Sequence, residues 1–96
     1  MFVVEITSFV RMPSDELKKV HREFLKKMLE QGKLKLAGRM IDNTGSFLVW
    51  NTGDIEEAKS LASSDPYFAN GLTTFVMKGW EIFWNGFMNP PVMPDK

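Results

Sequence analysis

The chain carries one histidine, His21, and no cysteine. Imidazole, with an ordinary pKa of about 6.5, is the side chain best suited to taking up and returning a proton near neutral pH. The absence of thiols excludes disulfides, cysteine-ligated metal and thiol nucleophiles, and a single imidazole cannot build a histidine cluster for zinc. The sequence holds no phosphate-binding glycine loop, nucleophile elbow or carboxylate–histidine metal spacing. What remains is acid–base chemistry by single polar residues, with no metal and no cofactor required.

His21 falls inside a helical pattern. Ser14 in Pro13-Ser14-Asp15-Glu16 is the expected N-cap, and the acidic pair complements the helix dipole. Gly32 supplies the stop. Leu17, Val20, Phe24, Leu25, Met28 and Leu29 form the expected buried stripe, with His21 on or beside it, and Lys18, Lys19, Arg22, Lys26 and Lys27 lie mostly off it. A second helix opens at the capping-box spacing Asp54-Ile55-Glu56-Glu57, buries Ile55, Ala58, Leu61 and Ala62, and closes at Asp65-Pro66. Two helices antiparallel on one sheet face bring the end of the second toward the first half of the first. Asp65 is therefore the expected partner of His21, a carboxylate that fixes the imidazole tautomer and leaves the other nitrogen as a base. Both residues also have plain structural readings: His21 as a hydrogen-bonded histidine at a core edge, Asp65 as the cap of the turn that follows. Arg39 is the candidate clamp for an anionic substrate, or else an exposed strand residue or interface ion pair. Tyr67 is a candidate pocket wall beside Asp65. Glu5 and Ser8 read as polar groups on opposite faces of the first strand.

The strands must hold these helices. Residues 2–12 read as a long strand whose even positions (Phe2, Val4, Ile6, Val10, Met12) call for a core, while the odd positions (Val3, Glu5, Thr7, Phe9, Arg11) call for a half-polar cavity or interface. Residues 33–41 and 46–51 form a hairpin across the turn Asp42-Asn43-Thr44-Gly45. Residues 73–84 form a fourth strand, with Gly79 as a bend or bulge. The order βαββαβ predicts an α+β, ferredoxin-like fold of four antiparallel strands with two helices on one face, in a single domain spanning residues 1–96 with its core in 1–84 and a tail in 85–96.

Twelve aromatic residues in 96, seven of them from Tyr67 to Phe87, need either tight packing or a partner to cover them in so small a domain, and their number suggests a partner. A homodimer whose sheets pack face to face is expected, with the apolar stretch from Phe87 to Met93 as an arm over the partner. The 12 basic and 12 acidic residues cancel, and the basic ones concentrate between Arg11 and Arg39 on one helix and its surroundings, so a solvated face is expected and a nucleic-acid partner is not. No apolar run reaches the ~20 residues of a membrane span, and the segment Met1-Phe2-Val3-Val4-Glu5 lacks the basic character of a signal peptide, so a cytoplasmic location with no membrane partner is expected.

His21 with Phe24-Leu25, the segment from Gly32 to Gly38, the turn Asp42 to Gly45, and above all Ser64-Asp-Pro-Tyr-Phe-Ala-Asn-Gly-Leu72 with Trp80 resemble, in order and spacing, the YciI-like (YCII-related) proteins over about residues 1–84. The resemblance implies a dimeric α+β barrel and a site made by a histidine and an aspartate that match His21 and Asp65. Similar proteins include a dehydrochlorinase acting on a chlorinated hydroxyquinol, and muconolactone isomerase shares the barrel; both carry out proton transfer without a cofactor. Arg39 follows Ala37-Gly38 where such proteins usually have proline, and the tail after Trp84 is an addition. The expected function is a cofactor-independent lyase or isomerase acting on a small substrate, a cyclic one included. A non-catalytic small-ligand-binding or accessory dimer, or an interaction protein using its tail, are the alternatives.

Overall fold

The computed structural model describes residues 1–87. Its elements are β1 (Phe2–Phe9), α1 (Asp15–Glu30), β2 (Leu34–Arg39), β3 (Gly45–Asn51), α2 (Ile55–Ser63), α3 (Pro66–Ala69) and β4 (Thr73–Trp80). The strands form one sheet in the order β2-β3-β1-β4, every pair antiparallel. This is the ferredoxin-like α+β arrangement, with α3 as a short addition. Past Phe87 the expected arm lies outside the described residues.

Register decides which residues meet the helices. Val3 stands between Trp50 and Gly79, Glu5 between Leu48 and Met77, and Thr7 between Ser46 and Phe75. Val3, Leu48 and Trp50 belong to the buried core with Met28, Leu34, Ala58 and Ala62, so this odd-numbered face of β1 is the covered one. The even positions were expected to face the core, and the structure reverses that. Ile6 is 44% exposed, and Phe2, Val4, Ile6 and Ser8 share the open face with Val76, Lys78 and Trp80. The reason is that β1 sits in mid-sheet and is apolar on both sides. A charge at Glu5 suggests an outward face only until the indole of Trp50, on the neighbouring strand one pair along the same face, is seen to donate to it. Fully burying a side chain such as Val3 or Leu34 contributes on the order of 1.5–3 kcal/mol.

Two strand boundaries also differ from expectation. β1 ends at Phe9 instead of Met12, because Val10 and Arg11 turn away and both direct their N–H groups at the Leu72 carbonyl. β4 ends at Trp80 instead of Trp84, and Gly79 is neither bend nor bulge: it pairs in register with Val3 and leaves room beneath the Ile55 side chain. The irregularity in the sheet falls between Leu34 and Leu36. On α1 the stripe narrows to Leu17, His21, Phe24, Leu25 and Met28, leaving Val20 and Leu29 half exposed at its margins. α2 buries Ala58 and Ala62 and packs Ile55 and Leu61 as expected. Half of its capping box forms: Asp54 accepts from the Glu57 N–H at 2.8 Å, but Glu57 reaches back to the Gly53 N–H instead of that of Asp54. No helix among the described residues is long and apolar enough to cross a membrane.

Candidate functional site

Ser14 starts α1 by accepting the Leu17 N–H at 3.2 Å, and this phase sets His21, two turns in, on the side that faces α3. α2 ends at Ser64. Asp65 then takes extended angles, as a residue before proline must, and its carboxylate Oδ1 caps α3 by accepting the Tyr67 N–H at 2.9 Å. The same oxygen lies 2.9 Å from His21 Nδ1. The two readings of Asp65, structural cap and histidine partner, thus coexist on one atom. Both side chains are 16% exposed, dry enough for the contact to matter and open enough to be reached.

α3 contributes a second constraint. Tyr67, buried, lays its ring on His21 with centroids 3.8 Å apart and planes 7° from parallel, and Phe9 tilts against the other part of Tyr67 at 5.6 Å. Burial pushes the Tyr67 phenol above its ordinary pKa, and the Asp65 carboxylate acts in the same direction. The phenol is therefore neutral throughout the physiological range.

These residues line a cleft of about 270 Å³ between the sheet and α1. Thr7, Phe9, Ser46 and Leu48 belong to its sheet wall, and Lys18 and Arg22 flank His21 on α1. Arg39 also lines it, from the end of β2, where it pairs with Ser46. Lys18, which also meets Asp15 at 3.8 Å, Arg22 and Arg39 line the cleft with one carboxylate, Asp65, already engaged by His21, so the cleft favours an anionic group on its occupant.

Below Thr7 lies Glu5, only 4% exposed. Its Oε1 accepts from the Trp50 indole at 2.8 Å and its Oε2 accepts from the Thr7 hydroxyl. Burial raises its pKa, while the two hydrogen bonds pull the other way. Of the residues singled out from sequence, His21, Asp65, Tyr67 and Arg39 all come to this cleft; Ser8 does not. Thr7, Lys18 and Arg22 were missed as site residues. The spacing of Lys18, His21 and Arg22 on one helix side is a signal that would have found two of them. The pairing of Glu5 with Trp50 depends on strand register and had no local signal.

The profile of the YCII-related domain matches residues 1–80. An uncharacterized protein, YjpA of Bacillus subtilis (strain 168), is 32% identical over 62 residues, which are 65% of this chain and 73% of that protein. Among solved structures, the 5-chloro-2-hydroxyhydroquinone dehydrochlorinase of Burkholderia phenoliruptrix AC1100, in complex with 2,5-dihydroxybenzoquinone, superposes with a TM-score of 0.66 at 20% identity, covering 84% of this chain and 94% of the other. Muconolactone isomerase superposes with a TM-score of 0.69 at 16% identity, covering 83% and 88%. At these identities the two structures speak to the fold alone, an α+β arrangement of a four-stranded antiparallel sheet with helices.

Proposed function

This chain belongs to the YCII-related domain family, and from that premise we propose that it is a cofactor-independent lyase or isomerase in which His21 moves a proton on a small substrate, a cyclic one included. The observation that carries the reading is the 2.9 Å contact of His21 Nδ1 with Asp65 Oδ1 at the edge of a cleft. A carboxylate at Nδ1 holds the proton there and leaves Nε2 with a free lone pair. Nε2 takes a proton from carbon, or from a hydroxyl conjugated to the reacting carbons; the C–H or O–H electron pair becomes a new C=C or C=O bond, and Asp65 stabilises the imidazolium. In a lyase the displaced electrons leave with an anion such as chloride, and His21 returns its proton to water. In an isomerase the double bond shifts and His21 returns the proton to a second carbon of the same molecule. Arg39, with Lys18 and Arg22, holds an anionic group of the substrate, and Tyr67 fixes the imidazole plane.

The non-catalytic alternative tolerates a pocket anywhere; the catalytic one needs it at His21 and Asp65, where this cleft is. The dehydrochlorinase and isomerase that share the fold supply the two chemistries worth testing. The experiment is incubation in D2O with 5-chloro-2-hydroxyhydroquinone and with muconolactone, following chloride release and deuterium uptake. Turnover is expected from the wild type, with a loss of about 100-fold or more in His21→Asn and a smaller loss in Asp65→Asn. An unchanged rate in His21→Asn would sink the catalytic reading.

The working unit in this reading is a homodimer. Ile6, Leu36, Val76 and Trp80 lie on the open face of the sheet at 44, 50, 63 and 44% exposure. A second copy packed against this face closes the barrel and removes the apolar surface from water.

A further inference from the structure

Glu5 is a buried carboxylate to which the proton-transfer scheme gives no role, although it touches a residue of the cleft wall. The Trp50 indole can only donate, so one Glu5 oxygen is taken by that bond. The other accepts the single hydroxyl proton of Thr7. With that proton committed below, what Thr7 Oγ1 can offer the cleft is lone pairs. Thr7 also stands directly opposite Ser46, and Ser46 directly opposite Arg39, so the three form a polar rung across β1, β3 and β2 on the cleft side of the sheet.

We propose that Glu5 is a positioning residue that makes Thr7 an obligate hydrogen-bond acceptor, so that the cleft selects ligands presenting a hydroxyl donor together with an anionic group: hydroxy acids of the enol or phenol type. This rests on the reading of the cleft as the substrate site and names the class of substrate it takes. Discrimination arises because an ether in place of the hydroxyl sets two acceptors against each other in a partly dry site, at the cost of an unpaired polar group. The cations Lys18, Arg22 and Arg39 recognise the anionic end, and the hydroxyl is read at Thr7.

The arrangement makes an unusual prediction for Glu5→Gln. The Trp50 indole still needs an acceptor, which orients the amide oxygen toward it and turns the amide NH2 toward Thr7. Thr7 Oγ1 then accepts from the amide, and its own proton is released toward the cleft. Acceptor becomes donor with no change in shape.

The test is an NMR titration of the full chain with 3- and 4-hydroxybenzoate and the matching methoxybenzoates, reading the cleft amides. In the wild type the hydroxy member of at least one pair is expected to bind at least about 10-fold more tightly than its methyl ether. That preference is expected to fall to parity or invert in Glu5→Gln. It should vanish in Thr7→Val, which keeps the side-chain shape, and persist in Thr7→Ser. Thr7→Val carries the test alone if Glu5→Gln does not fold. No preference in the wild type, whether both members bind alike or neither binds, overturns the proposal, as does a preference that survives Thr7→Val. Because the readout is binding, loss of turnover in His21→Asn with an intact hydroxyl preference separates this proposal from the catalytic one.

Discussion

Tyr67 lies flat on His21, ring centroids 3.8 Å apart, and its backbone N–H binds the same Asp65 oxygen that meets His21 Nδ1. One short helix, α3, therefore fixes the imidazole both in its plane, by stacking, and at its edge, through its capping residue. Replacing Tyr67 with Leu keeps the backbone bond and removes the flat surface. The imidazole gains rotational freedom, and turnover should fall about 10- to 100-fold with a smaller change in KM. Because His21 is the only histidine, its ring gives one set of long-range 1H–15N correlations, and these should show a loss of the uniform Nδ1–H tautomer. Wild-type kcat with an unchanged tautomer pattern would leave Tyr67 as packing alone.

The turn before β3 looks like ordinary Asx chemistry, with Asp42 Oδ1 accepting from the Thr44 N–H and hydroxyl. Gly45 has a separate duty. A Cβ there would stand 1.8 Å from the Thr7 carbonyl oxygen, on backbone that cannot move without breaking the β1–β3 register. Gly45→Ala should cost about 3 kcal/mol or more, or prevent folding, whereas Gly38→Ala, with nothing within 4 Å of the new carbon, should change stability by less than about 1 kcal/mol. Urea unfolding of the two variants side by side checks the contrast.

Much of this architecture is visible in the amino acids themselves. Helix starts at Ser14 and Asp54, the stop at Gly32 and the Asp65-Pro66 break are local events governed by a few backbone groups, and they are legible for that reason. His21 and Asp65 could be matched because antiparallel helices on one sheet face leave few ways for their ends to meet. The faces of β1 were misassigned because alternation reports apolarity, and both faces of a central strand are apolar; the deciding partner, Trp50, is 45 residues away. The end of β4 was misplaced for a similar reason. Aromatic residues continue through Phe83 and Trp84 after the pairing with β1 has run out at Phe2. Thr7 was invisible as a site residue because its importance comes from the carboxylate under it.

That carboxylate also gives a pH signature. Burial raises the pKa of Glu5 above its ordinary value of about 4.5, so the folded chain holds this proton more tightly than the unfolded one. The associated stability is fully present below the ordinary value and is lost as pH rises through the raised one. Glu5→Gln is neutral at every pH and has no such loss. The stability of Glu5→Gln minus that of the wild type should therefore climb as pH rises above about 4.5 and then level off. Urea unfolding in steps from pH 4 to 8 measures the difference, in which the titrations shared by both proteins cancel. A flat difference would mean that Glu5 titrates alike in folded and unfolded chains.

The homodimer can be tested without touching the cleft. Phe47, Ile6 and Val76 stand side by side across β3, β1 and β4 on the open face, and Val76 is 63% exposed in the single chain. Val76→Lys therefore leaves the protomer core intact. In a sheet-to-sheet dimer the ammonium would be buried without a partner, a penalty of several kcal/mol and enough to split the pair. Sedimentation velocity should give about twice the 11.0 kDa chain mass for the wild type and the single mass for Val76→Lys, with unchanged circular dichroism. A wild-type monomer would remove the dimer from the proposal. A variant that stays dimeric at low micromolar concentration would move the interface to another surface.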